Sequence, residues 1–345
     1  MKRGWPERWA DGGWLIAALT PLSWAYALLW RLAWAWRSRV PAEAVPGLKV
    51  ISIGNLSVGG TGKSALVRAV ALAALKKRRK TAVLLRGYGA LEGSRPLWVS
   101  LGKGALVGAR LCGDEAREHA RVPGLGVLVD ADRLRGAREA RGQGYELLVL
   151  DDGFQRRWQL QRDADLLLAS WPEIERGERL LPAGPWREPW SRAAGVTALL
   201  LQDATPQTEL PWPWSALPRV DVGYQPMKLW AWVGGVLKAG PPLSRLKGRQ
   251  VLALSGLGQP ARFEASLRGL GASPQSARFA DHHAFSVEEL QALSTGACTE
   301  ICTTMKDAMR LPFQWRPSVP VWVLEAELQS RPAAHLDGLI AKVLS

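Results

Sequence analysis

Cysteine is scarce: the 345-residue chain has three, Cys112, Cys298 and Cys302. An odd and widely spaced set makes no disulfide framework, and the sequence reads as a protein of a reducing compartment. Cys298 and Cys302 are four apart, but two thiols without neighbouring ligands make a poor metal site. Histidine is also sparse, with four residues, two of them adjacent at 282 and 283. Acidic residues fall short of basic ones, 31 against 45, which gives a net charge of +14. That excess attracts polyanions: nucleic acid, anionic lipid head groups or phosphorylated substrates. No clear nucleic-acid motif accompanies it, and no internal repeat is present.

Tryptophan, by contrast, is plentiful, with 18 residues, and Trp5, Trp9, Trp14, Trp24, Trp30, Trp34 and Trp36 crowd the N-terminus. Tryptophan favours the membrane–water interface, so charge and tryptophan together point to an anionic membrane surface and away from DNA. Residues 14–30, WLIAALTPLSWAYALLW, carry no charge. A 17-residue helix is about 26 Å long, short of a hydrocarbon core of about 30 Å. Pro21 lies inside it, and basic residues flank both ends. An interfacial helix within residues 1–40 fits better than a span. Two other readings are a cleaved signal peptide, suggested by Ala33-Trp34-Ala35, and a buried helix of the main domain.

The hydrophobic fraction, 47%, is that of a globular protein. LKVISIG (48–54) reads as a strand, SVGGTGKS (57–64) as a glycine-rich loop, and ALVRAVALAALKK as a helix. TAVLLRGYG (81–89), ELLVLDDG (146–153) and ADLLLAS (164–170) read as further strands. Strands alternating with helices predict a parallel sheet with helices on both faces. Residues 205–225 read as a linker, LWAWVGG (229–235) as a strand of that connection, and RQVLALSGLG (249–258) as the start of a second α/β unit. The expected boundaries are 41–222 for the first domain, 223–247 for the linker and 248–345 for the smaller second domain.

Strand, glycine-rich loop and helix form the setting of a phosphate-binding loop. Backbone amides of Ser57, Val58, Gly59, Gly60, Thr61 and Gly62 would cradle phosphate, Lys63 would reach the β- and γ-phosphates of ATP, and Ser64 would ligate Mg²⁺. The usual first glycine is replaced by Ser57. Asp151 and Asp152, at the end of an apolar strand, are the expected carboxylate partners in the Mg²⁺ region. Gly-Asp-Glu at 113–115 alone reads as a turn. Ser286 and Glu289 read as a capping box after Asp281–His283.

Eight motifs in order resemble the tetraacyldisaccharide 4′-kinase family: GNLSVGGTGKS, RGYG, GDE, LDDGFQ, LLPAGPWREP, SGLGQPARF, DHHAF and TMKDA. The resemblance implies a P-loop NTPase-like α/β domain, a smaller C-terminal α/β domain and an N-terminal membrane-associated helix. It implies transfer of the ATP γ-phosphate to the 4′-hydroxyl of a tetraacyldisaccharide 1-phosphate, a step of lipid A biosynthesis at the cytoplasmic face of the inner membrane. No nucleic acid and no obligatory protein partner are expected. Carried over by position, Asp114 is the general base, His282 its partner from the second domain, and Gln155 a nucleotide neighbour. Tyr88, Glu115, Arg133, Arg187 and Glu188 fall near the cleft. This chain departs from the family pattern at Arg156, where histidine is common, and at Ser64-Ala65, where Thr-Pro is common. Two other classes remain: a membrane-surface ATPase switch that binds a protein partner, and a soluble kinase of a small metabolite. Val58, in place of a lysine found in partitioning-type ATPases, and the second domain speak against the first. The apolar N-terminus speaks against the second.

Overall fold

The computed structural model describes Trp9 and residues 13–58, 62–87, 96–107, 109–280, 283–294, 299–332 and 334–345, with backbone alone at Ala109, Arg110, Asp114 and Ser294. The chain folds as two compact units, Met1–Gly223 with Ser330–Ser345, and Tyr224–Gln329.

In the first unit, β1 (Lys49–Gly54) lies between two parallel neighbours, β5 (Leu147–Asp151) and β6 (Ala164–Ser170). Outward from β5 follow β2 (Thr81–Leu85), β4 (Gly126–Val129) and the antiparallel edge strand β3 (Leu97–Leu101). Outward from β6 follow β7 (Ala198–Gln202) and the start of β8 (Arg219–Val233), both parallel. Every residue of β2, β4, β5, β6 and β7 is buried. Such continuous apolar runs belong to parallel strands covered on both faces. Val50, Ala82, Leu84, Leu148 and Leu150 share a core with Ala137 and Ala140 of α5 (Arg133–Gly142). Side chains alternate between faces along a strand, so Ile51, Ile53, Val83, Leu147 and Val149 need cover from another layer. Helix α2 (Lys63–Lys76) packs on β1, β2 and β5 and buries Leu66, Val67, Val70, Ala71 and Ala74, a stripe at helical spacing. Two short helices, α3 (Ala109–Cys112) and α4 (Asp114–His119), precede β4, and α6 (Trp171–Glu175) follows β6.

Helix α1 (Trp14–Arg37) is one continuous helix of 24 residues that runs through Pro21. It is long and apolar enough to cross a membrane, by length and composition. Most of it is exposed, which separates it from a buried core helix. One face, at Ser23, Tyr26, Ala27, Trp30 and Trp34, meets the unit. Tyr26 and Ala27 pack against a core holding Phe154, Trp186, Trp190 and Trp214. Trp30 stacks on Trp34, and the Arg192 guanidinium lies 3.4 Å from the Trp34 ring centroid. The other face leaves Trp14 82%, Trp24 70% and Leu29 66% exposed.

In the second unit, β10 (Gln250–Ser255) lies between parallel β11 (Ser273–Arg278) and β12 (Ile301–Thr304). Beyond β12 come β13 (Val321–Ser330) and then β8, with β9 (Val236–Ala239) antiparallel on β8. Helix α7 (Pro260–Gly269) joins β10 to β11, and α8 (Val287–Ser294) and α9 (Met305–Ala308) flank β12. Trp315, Trp232, Leu254, Phe285 and Val323 form its core. Ser286 and Glu289 make the reciprocal cap ahead of α8, at 3.0 and 3.1 Å. Cys302 is buried, and burial pushes its thiol up to about 12. Cys298 lies outside the described residues.

Two stretches differ from the sequence reading. Residues 219–225, expected in a linker, belong to the 15-residue strand β8. The last helix, α10 (Ala334–Leu344), packs on α2 and belongs to the first unit. Its buried residues, Leu336, Ile340, Val343 and Leu344, form a stripe that needs a partner.

Candidate active site

The register of the central strands sets the site: Ile53 of β1 stands beside Asp151 of β5. The loop after β1 and the turn after β5 therefore leave the sheet together, at the carboxyl ends of parallel strands where such folds bind ligands. Gly54 is where the two approach most closely. A Cβ there would lie 2.5 Å from Cβ of Phe154. Gly62 opens α2 with φ +79°, a backbone that glycine adopts freely. Lys63 and Ser64 then occupy the first turn of α2, whose free N–H groups favour an anion.

Three polar side chains, Lys63, Arg187 and Gln155, converge on Asn55. Lys63 Nζ donates to Asn55 Oδ1 at 2.9 Å and lies 3.4 Å from Asp152 Oδ1. Arg187 also donates to Asn55 Oδ1, and grips Asp152 through both terminal nitrogens at 3.1 and 3.2 Å. Gln155 Nε2 donates to the Asn55 carbonyl at 3.0 Å. Burial would raise the Asp152 carboxyl, but Lys63 and Arg187 beside it outweigh that and hold it well below the usual carboxylate range. Asp152 takes φ +50°, so the turn aims it back at the loop.

Arg133 supports this turn from beneath. It is buried, and it donates to the carbonyls of Leu84 and Asp151, each at 2.9 Å. Burial lowers its guanidinium to about 10, against the pull of Asp152 and Asp151. The Asp151 carboxylate is buried too, and His119 Nε2 meets its Oδ2 at 3.0 Å.

Other sequence-selected residues stand elsewhere. The Ser57 hydroxyl donates to buried Glu173 at 2.7 Å, and its backbone bridges to Trp186. Val58 donates its N–H to Pro185 O and is exposed. Glu188 is buried beside Arg192, and burial raises its carboxyl despite the arginines around it. Glu115 is exposed in the first turn of α4. Arg156 takes φ +62° and donates to Ala131 O at 3.1 Å. Gly59, Gly60, Thr61, Tyr88 and His282 lie outside the described residues, as does the side chain of Asp114, whose backbone opens α4. Asn55 and His119 were not selected from the sequence. An amide directly before a glycine-rich loop was a signal for Asn55. Nothing local marks His119.

A family model described as tetraacyldisaccharide-1-P 4′-kinase matches residues 15–345. The chain belongs to the tetraacyldisaccharide-1-P 4′-kinase family. A tetraacyldisaccharide 4′-kinase of Anaeromyxobacter dehalogenans is 41% identical over 288 residues, covering 80% of this chain and 75% of the relative. That of Acidithiobacillus ferrooxidans is 35% identical over 333 residues, covering 96% and 95%. A solved structure of the kinase from Aquifex aeolicus, described as an apo form in complex with ATP, aligns with TM-score 0.72 and 28% identity. The alignment covers 96% of this chain and all of that one. This family's fold thus accounts for the P-loop-like α/β architecture, and the kinase class follows from membership.

Proposed function

We propose that this protein transfers the γ-phosphate of ATP to the 4′-hydroxyl of a tetraacyldisaccharide 1-phosphate at the cytoplasmic face of the inner membrane. The observation that carries the reading is the convergence of Lys63, Asp152, Arg187 and Asn55 at the first turn of α2, in a chain of this family. The ATP triphosphate would lie along the loop 57–64, with Lys63 and Arg187 supplying positive charge where negative charge builds up.

The donor set suits Mg²⁺. Ser64, Asp151 and Asp152 offer oxygen ligands only, and Mg²⁺ prefers one or two carboxylates together with substrate phosphates. No group of three or more His, Cys, Asp or Glu side chains that could hold a metal ion occurs among the described residues, so phosphate oxygens would complete the Mg²⁺ shell. When bound, Mg²⁺ neutralises phosphate charge. Arg133 and His119 fix the turn that presents the carboxylates.

Asp114 is the base in this reading. The acceptor oxygen bonds to the γ-phosphorus, the bond to the bridging β–γ oxygen breaks, the hydroxyl proton passes to Asp114, and ADP leaves. His282 would pair with Asp114 and tune it. The exposed apolar face of α1 would sit in an anionic membrane surface and deliver the site to its acylated substrate.

The test offers purified protein in detergent the tetraacyldisaccharide 1-phosphate, Mg²⁺ and γ-labelled ATP. Label should enter lipid with wild type and far more slowly with Asp114→Ala. ATP hydrolysis without lipid labelling would remove the kinase reading and favour an ATPase switch.

A further inference from the structure

His119 and Asp151 form a sealed pair between α4 and β5. Their side chains are 0% and 3% exposed, and Nε2 to Oδ2 is 3.0 Å. A carboxylate oxygen accepts, so the contact acts as a hydrogen bond to Asp151 with the ring hydrogen on Nε2. The other ring nitrogen, Nδ1, is buried and has no hydrogen-bond partner among the described residues. A leucine would fill the same space without stranding a polar atom, and a buried polar atom without a partner is costly. The histidine therefore brings one useful contact, the bond to Asp151, at a cost elsewhere in its own ring.

We propose that His119 is a positioning residue for the Mg²⁺·ATP site, holding Asp151 by one carboxylate oxygen so that the other is presented at a fixed angle. The proposal rests on the reading of Asp151 as part of the Mg²⁺ region. Two neighbours prepare the arrangement. Arg133 holds the Asp151 backbone carbonyl at 2.9 Å, so the residue is clamped at both its carbonyl and its carboxylate. Arg68 of α2 pairs with Glu118, fastening α4 to the helix that begins with Lys63 and Ser64. Outer partners of this kind commonly tune metal affinity about 10–100-fold.

The test compares full-length wild type with His119→Leu, which removes the donor, and His119→Gln, whose side-chain N–H reaches to a similar depth. Two readouts are taken. One is the Mg²⁺ concentration for half-maximal lipid phosphorylation at saturating ATP. The other is Mn²⁺ affinity of the ADP complex, by electron paramagnetic resonance. Both should weaken at least tenfold in His119→Leu and return towards wild type in His119→Gln. Nitrogen-15 spectra of the wild-type ring should show the hydrogen on Nε2. Unchanged metal dependence in His119→Leu, with only a shifted melting temperature, would overturn the proposal. If His119→Leu does not fold, a hydrogen on Nδ1, or wild-type metal dependence from a variant that cannot donate such as His119→Met, would overturn it. Absence of lipid phosphorylation in wild type would remove the kinase reading, while the Mn²⁺ comparison would still decide the role of His119.

Discussion

Tyr26 of the exposed N-terminal helix donates its hydroxyl to the backbone carbonyl of Arg187 at 2.7 Å, while the Arg187 side chain grips Asp152. Three residues earlier on α1, Ser23 donates to Leu180 O at 2.8 Å and accepts from Ala183 N at 3.0 Å. The loop 180–187 is thus pinned near both ends by α1. Tyr26→Phe keeps the ring and removes one hydrogen bond, a stability loss of about 1 kcal/mol. The KM for ATP should rise several-fold, because Arg187 loses one of its two backbone tethers and keeps only the bond from its N–H to Leu56 O. Urea melts and ATP titration check this. An unaltered KM alongside the expected stability loss would mean that Arg187 is held by its other contacts.

Arg187→Lys preserves charge but not the fork. One ammonium cannot repeat paired contacts to Asp152 together with a bond to Asn55. Lipid phosphorylation should fall by at least tenfold, about 1.4 kcal/mol of transition-state stabilisation, while the melting temperature moves by only a few degrees. Steady-state kinetics beside a thermal melt separate the two. Near-wild-type turnover would place Arg187 outside the reaction.

The pH dependence of stability has a legible source in the second unit. Glu264 of α7 accepts from Ser276 at 2.8 Å and from Arg278 at 2.8 and 2.9 Å. The bonds from Arg278 lower its carboxyl, outweighing burial. A carboxyl lowered on folding adds stability above its unfolded value, about 4.3 for glutamate, and loses it as pH falls through the folded value. Glu264→Gln should cost about 2 kcal/mol at neutral pH, and the gap from wild type should close in acid. Urea melts across the range test it. A gap that stays constant down to strongly acid pH would rule out the carboxylate as its origin.

The exposed face of α1 predicts membrane partition. Trp24 and Leu28 are exposed and apolar. Replacing both with serine should leave the melt nearly unchanged, since surface substitutions usually stay within about 0.5 kcal/mol. Burying each large side chain is worth about 2 kcal/mol, so binding to anionic vesicles should weaken by at least tenfold in a flotation assay. Equal flotation would move the membrane contact off this face.

Local order carries much of what the sequence made legible. Strand, glycine-rich loop and helix at 48–76 are encoded by β-branched runs, glycine and helix formers close together in the chain, so Lys63 and Ser64 fall in the first turn of α2 as expected. The apolar strand 147–151 and its two carboxylates were equally readable. Family motifs extended that reading to the enzyme class. Tertiary structure alone decided which polar atoms meet. Asn55 became a hub because β1 and β5 pair in one register and the loop 180–187 folds over them. Arg133, which the family resemblance places near the cleft, turns inward to the backbone carbonyls of Leu84 and Asp151. His119 lies 32 residues from Asp151 and joins it through packing of α4. Periodicity reports the burial of a side chain against its own neighbours in the chain. Hydrogen bonds across tens of residues depend on strand order and register, which no local pattern records.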